Sequence, residues 1–258
     1  MNRLDLDELM RRAIAVARRA GTLQLEHWRT GDLAVEEKGR AADIVTQVDK
    51  ACEALVLDEV RSLEGSVGVL SEECGLLHPD AEWQWVVDPL DGTTNYNAGL
   101  PLFNISIGIR HHGATVGGVV FAPVLNELFT ATLGGGAFLN QNRAIRPSAA
   151  TDLAHSVVAT GFPVDKDVNH DNNLTELSRI MPRVRGVRRL GSAALDICYV
   201  AAGFLDAYWE LNLHEWDVCA AELIAHEAGA IAMRYRSNRG ICFMAATPAI
   251  APTLQHLL

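Results

Sequence analysis

The chain has 258 residues and a formal net charge of −10, from 22 Lys and Arg against 32 Asp and Glu, and 49 % of its residues are hydrophobic. That is the composition of a soluble globular protein with length for one or two domains. The acidic balance argues against binding nucleic acid or an anionic membrane through a general basic field, and no apolar run reaches the roughly 18 residues of a spanning helix.

The five cysteines, Cys52, Cys74, Cys198, Cys219 and Cys242, form an odd set without a CxxC pair. They read as reduced thiols, mostly buried, in a cytoplasmic protein. The N-terminal stretch mixes acids and bases at helical spacing, so a signal peptide is not expected. Residues 5–28 form an expected first helix. Leu9, Ala13, Val16, Ala17, Ala20 and Leu23 recur at spacings of three and four, and Asp5 with Glu8 resembles a capping box. A second helix is expected over 49–62, with Val48, Cys52, Leu55 and Val56 on its apolar side. The period then changes to short strands at 67–70 and 84–87, each ending in acids. Antiparallel strands follow at 104–110, 115–121 and 127–130, with turns at 112–113 and 123–126. The glycine run 134–136 is not followed by Lys-Ser/Thr or a helix, so it reads as a turn rather than a phosphate loop. From about residue 147, strands (156–160, 187–190, 207–210, 241–246) alternate with helices (168–181, 192–202, 218–229, 249–256). The expectation is an α+β half over 1–146, then an α/β half over 147–258. No Pro/Gly/Ser-rich linker separates them, so they should pack as one unit.

The acids fall in informative places. Glu72 and Glu73 directly follow the strand at 67–70, Asp88 follows Trp85-Val86-Val87, and Asp217 opens an apolar helix after Trp216. Acids just past strand ends and at helix starts are where a sheet protein builds its site. In Asp88-Pro89-Leu90-Asp91-Gly92-Thr93-Thr94-Asn95, Pro89 stiffens the backbone, so Asp88 and Asp91 can share one side of a turn. Two close carboxylates repel unless a cation separates them, and oxygen donors suit Mg²⁺. Gly92 allows close backbone approach, and Gly92-Thr93-Thr94 can open a helix whose N–H groups take a phosphate. A bare DxxDG pattern fits an ordinary Asp-Gly turn with an N-cap as well.

Taken with its neighbours, the run resembles the inositol monophosphatase family of Mg²⁺-dependent, lithium-sensitive sugar-phosphate phosphatases. The resemblance covers nearly the whole chain. It rests on Leu70-Ser71-Glu72-Glu73, on residues 85–95, on Gly191-Ser192-Ala193-Ala194 and on Trp216-Asp217-Val218. It implies a layered αβαβα sandwich with the site between the halves, and a homodimer. It also implies two to three Mg²⁺ ions: one on Glu72, Asp88 and the Leu90 carbonyl, one on Asp88, Asp91 and Asp217, and a weaker third near Glu72, mostly on water. The implied catalytic set is Asp49, Glu72 and Thr93, with Thr93 and Asp49 orienting and deprotonating the attacking water. Gly92 and Thr93 N–H groups would bind phosphate, and Ala193 and Glu210 would line the substrate pocket.

The implied reaction is hydrolysis of a small phosphorylated polyol, myo-inositol monophosphate first. A carboxylate such as Glu210 accepts hydrogen bonds from two adjacent hydroxyls. Fructose-1,6-bisphosphate, histidinol phosphate and a nucleotide 3′-phosphate stay open as substrates, as does a regulatory or scaffold role for the same fold. Ser71 stands where glycine is common in the family, and the segment 232–241 is short. Asp49 reads equally as a helix-cap acid, and Lys38 equally as a solvated loop charge. Glu73 reads as a neighbour, His214 as a structural hydrogen-bond partner, and Trp83, Trp85 and Trp209 as packing. Half of the net charge (Asp49, Glu72, Asp88, Asp91, Asp217) would meet in one cleft, which would bind phosphate only after cations reverse its field.

Overall fold

The computed structural model describes residues 5–31, 33–41, 43–63 and 67–258. Helix α1 (Leu6–His27) starts at Asp5, whose side chain accepts from the Glu8 N–H, and it buries Leu9, Ala13, Val16, Ala17 and Ala20 along one stripe. The chain continues as β1 (Glu36–Arg40), β2 (Asp43–Val45), α2 (Gln47–Arg61), β3 (Val67–Ser71), β4 (Gly75–Leu77), β5 (Trp83–Asp91) and α3 (Thr93–Asn97). Then come β6 (Asn104–His111), β7 (Ala114–Ala122), β8 (Glu127–Thr132), β9 (Gly136–Leu139), β10 (Arg143–Ala144), β11 (Val157–Thr160) and α4 (Leu174–Ile180). The last part is β12 (Gly186–Arg188), α5 (Ala193–Ala201), β13 (Ala207–Leu213), α6 (Glu215–Ala228), β14 (Ile231–Arg236), β15 (Ile241–Ala246) and α7 (Ala251–Leu257).

Side-chain alternation along the strands builds the layers. The eight-stranded sheet has the order β10-β9-β8-β7-β6-β5-β3-β4 and the five-stranded sheet the order β12-β11-β13-β15-β14. Ile105, Ile107 and Ile109 of β6 join the core made by α1 and α2 on the outer face of the larger sheet. On its inner face, Val120 and Phe129 share a second core with α5, α6 and the Tyr208 and Phe243 side chains of the smaller sheet. Helices α4 and α7 cover the far face of that sheet, over Val158, Trp209 and Met244. The result is the expected αβαβα sandwich. No helix among the described residues is long and apolar enough to cross a membrane.

Helix α6 lies unusually close to the larger sheet because Gly108 and Gly118 face each other across β6 and β7. A Cβ at Gly108 would sit 2.4 Å from the Cys219 sulfur, and one at Gly118 would sit 2.6 Å from the Ala220 carbonyl oxygen. Two missing side chains thus set the depth of the helix that carries Asp217.

Several elements depart from expectation. The helix expected at 168–181 is only Leu174–Ile180. Upstream, the Asn169 and Asn172 side chains accept from the N–H groups of Asp171 and Leu174, and Asn173 takes a left-handed conformation (φ 72°). Such side chains compete with helical hydrogen bonding. Strand β14 was not expected: it is a sheet edge carrying Arg234 and Arg236, which blurs its alternation. The turn at 134–136 appears as the β8–β9 hairpin, with Thr132 opposite Gly136. All five cysteines are free thiols, four of them buried.

Candidate active site

Parallel pairing of β3 with β5 sets Ser71 opposite Val87, and the Glu72 N–H donates to the Val87 carbonyl at 3.3 Å. Glu72 therefore leaves its strand beside Asp88, at the carboxyl ends of two parallel strands. Asp88 and Asp91 are three residues apart, and a regular strand would turn them to opposite faces. They pair instead with Ser106 and Asn104, so three steps on β5 match two on β6. This is a β-bulge holding Pro89 and Leu90, where the missing N–H of proline is tolerated. The bulge takes the place of the expected turn and has the same consequence: both carboxylates face α5 and α6. From the other side, buried Gln24 donates to the Pro89 carbonyl (2.9 Å) and accepts from Tyr96 on its own carbonyl (2.7 Å).

Asp91 Oδ2 accepts from Asn104 Nδ2 (3.0 Å), Ser192 Oγ (2.7 Å) and the Ala194 N–H (2.9 Å). Ser192 is also the N-cap of α5. Asp88 Oδ1 accepts from the Leu90 N–H at 3.0 Å. Asp217 is the third residue of α6, where its Oδ2 accepts from the His214 N–H (2.6 Å) in a capping box. The His214 ring itself lies 3.6 Å from the same oxygen through Nδ1 and stacks on Trp216. Lys38, at the rim, donates to Glu72 Oε1 (2.9 Å) and to Glu73 Oε1 (2.5 Å).

These acids share one field. Burial raises Asp88 well above its ordinary value, and the strongest charges acting on it, Glu72, Asp91 and Asp217, are all negative. Burial pushes Glu72 up to about 7 against the pull of Lys38, with repulsion from Asp217 adding to the rise. Burial likewise brings Asp91 to about 6, against the hydrogen bond from Ser192 and with repulsion from Asp217. Four buried or half-buried carboxylates that repel one another form an oxygen-donor set whose joint ionisation a multivalent cation would favour. The set suits a hard divalent one.

Asp49 approaches from α2. Thr46 donates to its Oδ2 through both N–H (2.9 Å) and Oγ1 (2.5 Å), which closes a capping box. The other oxygen, Oδ1, accepts from Thr93 Oγ1 at 2.9 Å; that hydroxyl also lies 3.0 Å from the Leu90 carbonyl, and its single proton serves one acceptor at a time. Cap and Thr93 contact use different oxygens, so the cap does not occupy the oxygen that faces Thr93. Burial raises its pKa. Gly92 is left-handed (φ 93°) and opens α3 without a side-chain cap. A Cβ there would lie 2.8 Å from the Leu102 carbonyl oxygen.

Ala193 begins α5, and Glu210 on β13 accepts from the Tyr208 hydroxyl at 2.6 Å. Burial raises Glu210 to about 7, against that hydrogen bond, and Asp217 and Asp91 are among the charges it feels. Two further acids went unnoticed in the sequence. Asp196 is buried in apolar α5, with Oδ1 lacking a partner. Burial first, then Glu210 and Asp91, raise it well above its ordinary value. Glu53 is buried on α2 and accepts from Ser71 Oγ (2.5 Å) and the Cys74 N–H (2.9 Å), so it braces the turn that carries Glu72. Its position four residues after Asp49, on the same helix face, was the available signal. Trp85 and Trp209 are fully buried, as expected of packing residues.

Residues 5–258 match the model of the inositol monophosphatase family. Nus factor SuhB of Escherichia coli (strain K12) is 43 % identical over 220 residues, which is 85 % of this chain and 82 % of that protein. Inositol-1-monophosphatase of Mesorhizobium japonicum is 41 % identical over 218 residues, 84 % of this chain and 81 % of that protein. The solved inositol monophosphatase of Anabaena superposes with a TM-score of 0.86 at 34 % identity, covering 98 % of this chain and 96 % of that one.

Proposed function

This chain belongs to the inositol monophosphatase family, and from that premise we propose that it is a Mg²⁺-dependent phosphomonoesterase acting on myo-inositol monophosphate. The observation that carries the reading is the convergence of Glu72, Asp88, Asp91 and Asp217 in one field, with the Asp49–Thr93 pair beside it. Glu72, Asp88 and the Leu90 carbonyl would hold one ion, and Asp88, Asp91 and Asp217 a second; a weaker third would sit near Glu72. Bound there, Mg²⁺ supplies acidification of the attacking water and offsets charge on the phosphoryl group and the leaving oxygen.

The chain's own residues do the rest. With its proton directed to Asp49, Thr93 Oγ1 keeps lone pairs for the attacking water, and a proton leaving that water can pass through Thr93 to Asp49. Burial of Asp49 favours uptake of that proton. Glu72 serves both as ligand and as acceptor orienting the water. The N–H groups of Gly92 and Thr93 take phosphate oxygens. Glu210 accepts from adjacent hydroxyls of the leaving group, and Ala193 leaves room for its ring. Lys38 holds Glu72 at the rim.

Phosphate release in the presence of Mg²⁺ from inositol 1-phosphate, fructose-1,6-bisphosphate, histidinol phosphate and a nucleoside 3′-phosphate tests this. Inositol 1-phosphate should turn over fastest. Faster turnover of another substrate would replace the named one, and no Mg²⁺-dependent turnover of any would remove the enzyme reading. The free cysteines support a cytoplasmic setting, the charge of −10 supports the absence of a nucleic-acid partner held by a basic field, and the family supports a homodimer, which light scattering checks. The relative named Nus factor SuhB favours a second reading, a protein that acts through a partner. A cellular role that survives Asp91→Asn while turnover is lost would support it.

A further inference from the structure

At the far end of β5 from Asp88, the sheet gathers donor groups of another kind. Trp83 pairs with His111 across β5 and β6, and the His112 N–H donates to the Glu82 carbonyl at 2.9 Å. This register carries Glu82 to the two histidines. His111 Nε2 lies 2.8 Å and His112 Nε2 3.6 Å from Glu82 Oε1. One ligand atom from each of the three residues lies within 4.8 Å of the others. His112 sits in a left-handed turn conformation (φ 49°) with its ring 4.3 Å from that of His111, and Trp83 stacks on the His111 ring with centroids 4.1 Å apart.

We propose that Glu82, His111 and His112 form a second cation site, one for a divalent transition ion, with Zn²⁺ the best match. Donors bound to Zn²⁺ at about 2.0–2.1 Å in a tetrahedron lie about 3.3 Å apart, which falls between the 2.8 Å and 3.6 Å separations from Glu82. Two imidazoles with one carboxylate suit Zn²⁺, Ni²⁺ or Cu²⁺ and are poor ligands for Mg²⁺. Water completes the fourth position on the open side. Six residue steps along β5, at about 3.3 Å each, separate Glu82 from Asp88 by about 20 Å. The two sites are therefore distinct, and the imidazole end offers nitrogen donors that the acidic cleft lacks. This inference does not depend on the hydrolytic reading.

The test is Zn²⁺ titration of the full chain by calorimetry, with millimolar Mg²⁺ present to occupy the acidic cleft. Wild type should bind one Zn²⁺ at this site with micromolar affinity, and the double variant His111→Asn, His112→Asn should lose at least about tenfold. Asp91→Asn should bind Zn²⁺ as wild type does. Ni²⁺ should quench tryptophan emission, and Trp83→Phe should remove most of that quenching. Absence of Zn²⁺ binding tighter than about 100 µM overturns the site, as does undiminished binding by the double variant, or binding lost in Asp91→Asn instead. If the double variant misfolds by circular dichroism, Glu82→Gln replaces it in the same comparison.

Discussion

Strand β5 ends in two unlike surfaces. At its carboxyl end Asp88 and Asp91 are 2 % and 8 % exposed and lie among other carboxylates, with Asn104, Ser192 and Ala194 fixing one oxygen of Asp91. At its amino end the Glu82 side chain is 47 % exposed and faces imidazoles. Water competes for polar groups at the amino end, so the hydrogen bond between Glu82 and His111 adds little stability there. Burial at the carboxyl end makes every unneutralised charge expensive, so that end depends on cations and on hydrogen bonds from distant segments. Substitutions should therefore have strong effects at one end and weak ones at the other.

The largest effect is expected from Asp91→Asn. The amide oxygen can still accept from Ser192 and Ala194, so the fold should persist, while one charged ligand is lost. Mg²⁺-dependent phosphate release should fall by about a hundredfold or more. Unchanged turnover would break the contrast at its strong end. Next, Glu53→Ala removes the acceptor for Ser71 and the Cys74 N–H and loosens the turn that presents Glu72. The Mg²⁺ concentration for half-maximal turnover should rise about tenfold, with kcat recovered at saturating Mg²⁺. A fall in kcat that Mg²⁺ does not restore would give Glu53 a different role.

A pH series sharpens the same comparison. In the metal-free fold Glu72 stands at about 7 against an ordinary 4.5, and Asp91 at about 6 against 3.8. In that window the folded chain holds protons the unfolded chain has released, so stability is fully present at low pH and lost as pH rises through about 6 to 7. With chelator, Tm should fall from about pH 5 to about pH 8, and Mg²⁺ should raise Tm more at pH 8 than at pH 5. A flat metal-free profile would mean that burial does not raise these acids. Glu210→Gln should act more narrowly, raising KM for inositol monophosphate several-fold and leaving a phosphate ester without adjacent hydroxyls nearly unchanged.

The sequence revealed acids whose placement is local: Glu72 after a strand, Asp217 at a helix start, Asp88 and Asp91 around Pro89. It also carried the blocks that imply the layered fold. It could not reveal the bulge, since that depends on how β6 pairs with β5, and a turn satisfies the same local pattern. Ser192 stands in one of those blocks, but its bond to Asp91, like that of Asn104, stayed hidden because the partners meet across 101 and 13 residues of chain. Asp196 lies in an apolar helix whose period says only that it is buried. The helix expected at 168–181 failed where asparagine side chains claimed the backbone, a competition that apolar spacing does not register. Glu82, His111 and His112 become neighbours only through strand register.

The smallest effect should come from the imidazole end, and its smallness is informative. Replacing His111 and His112 by Asn removes an exposed hydrogen bond to Glu82 and a ring stacked on Trp83, and leaves the bulge and its carboxylates untouched. Turnover with Mg²⁺ should stay within about twofold of wild type, because sites about 20 Å apart with no shared partner behave additively. Combining these substitutions with Asp91→Asn should therefore reproduce the Asp91→Asn defect and nothing more. A triple variant with phosphate release well below that of Asp91→Asn alone would mean that strain travels along β5 from one end to the other. The strand would then couple its two ends instead of only separating them.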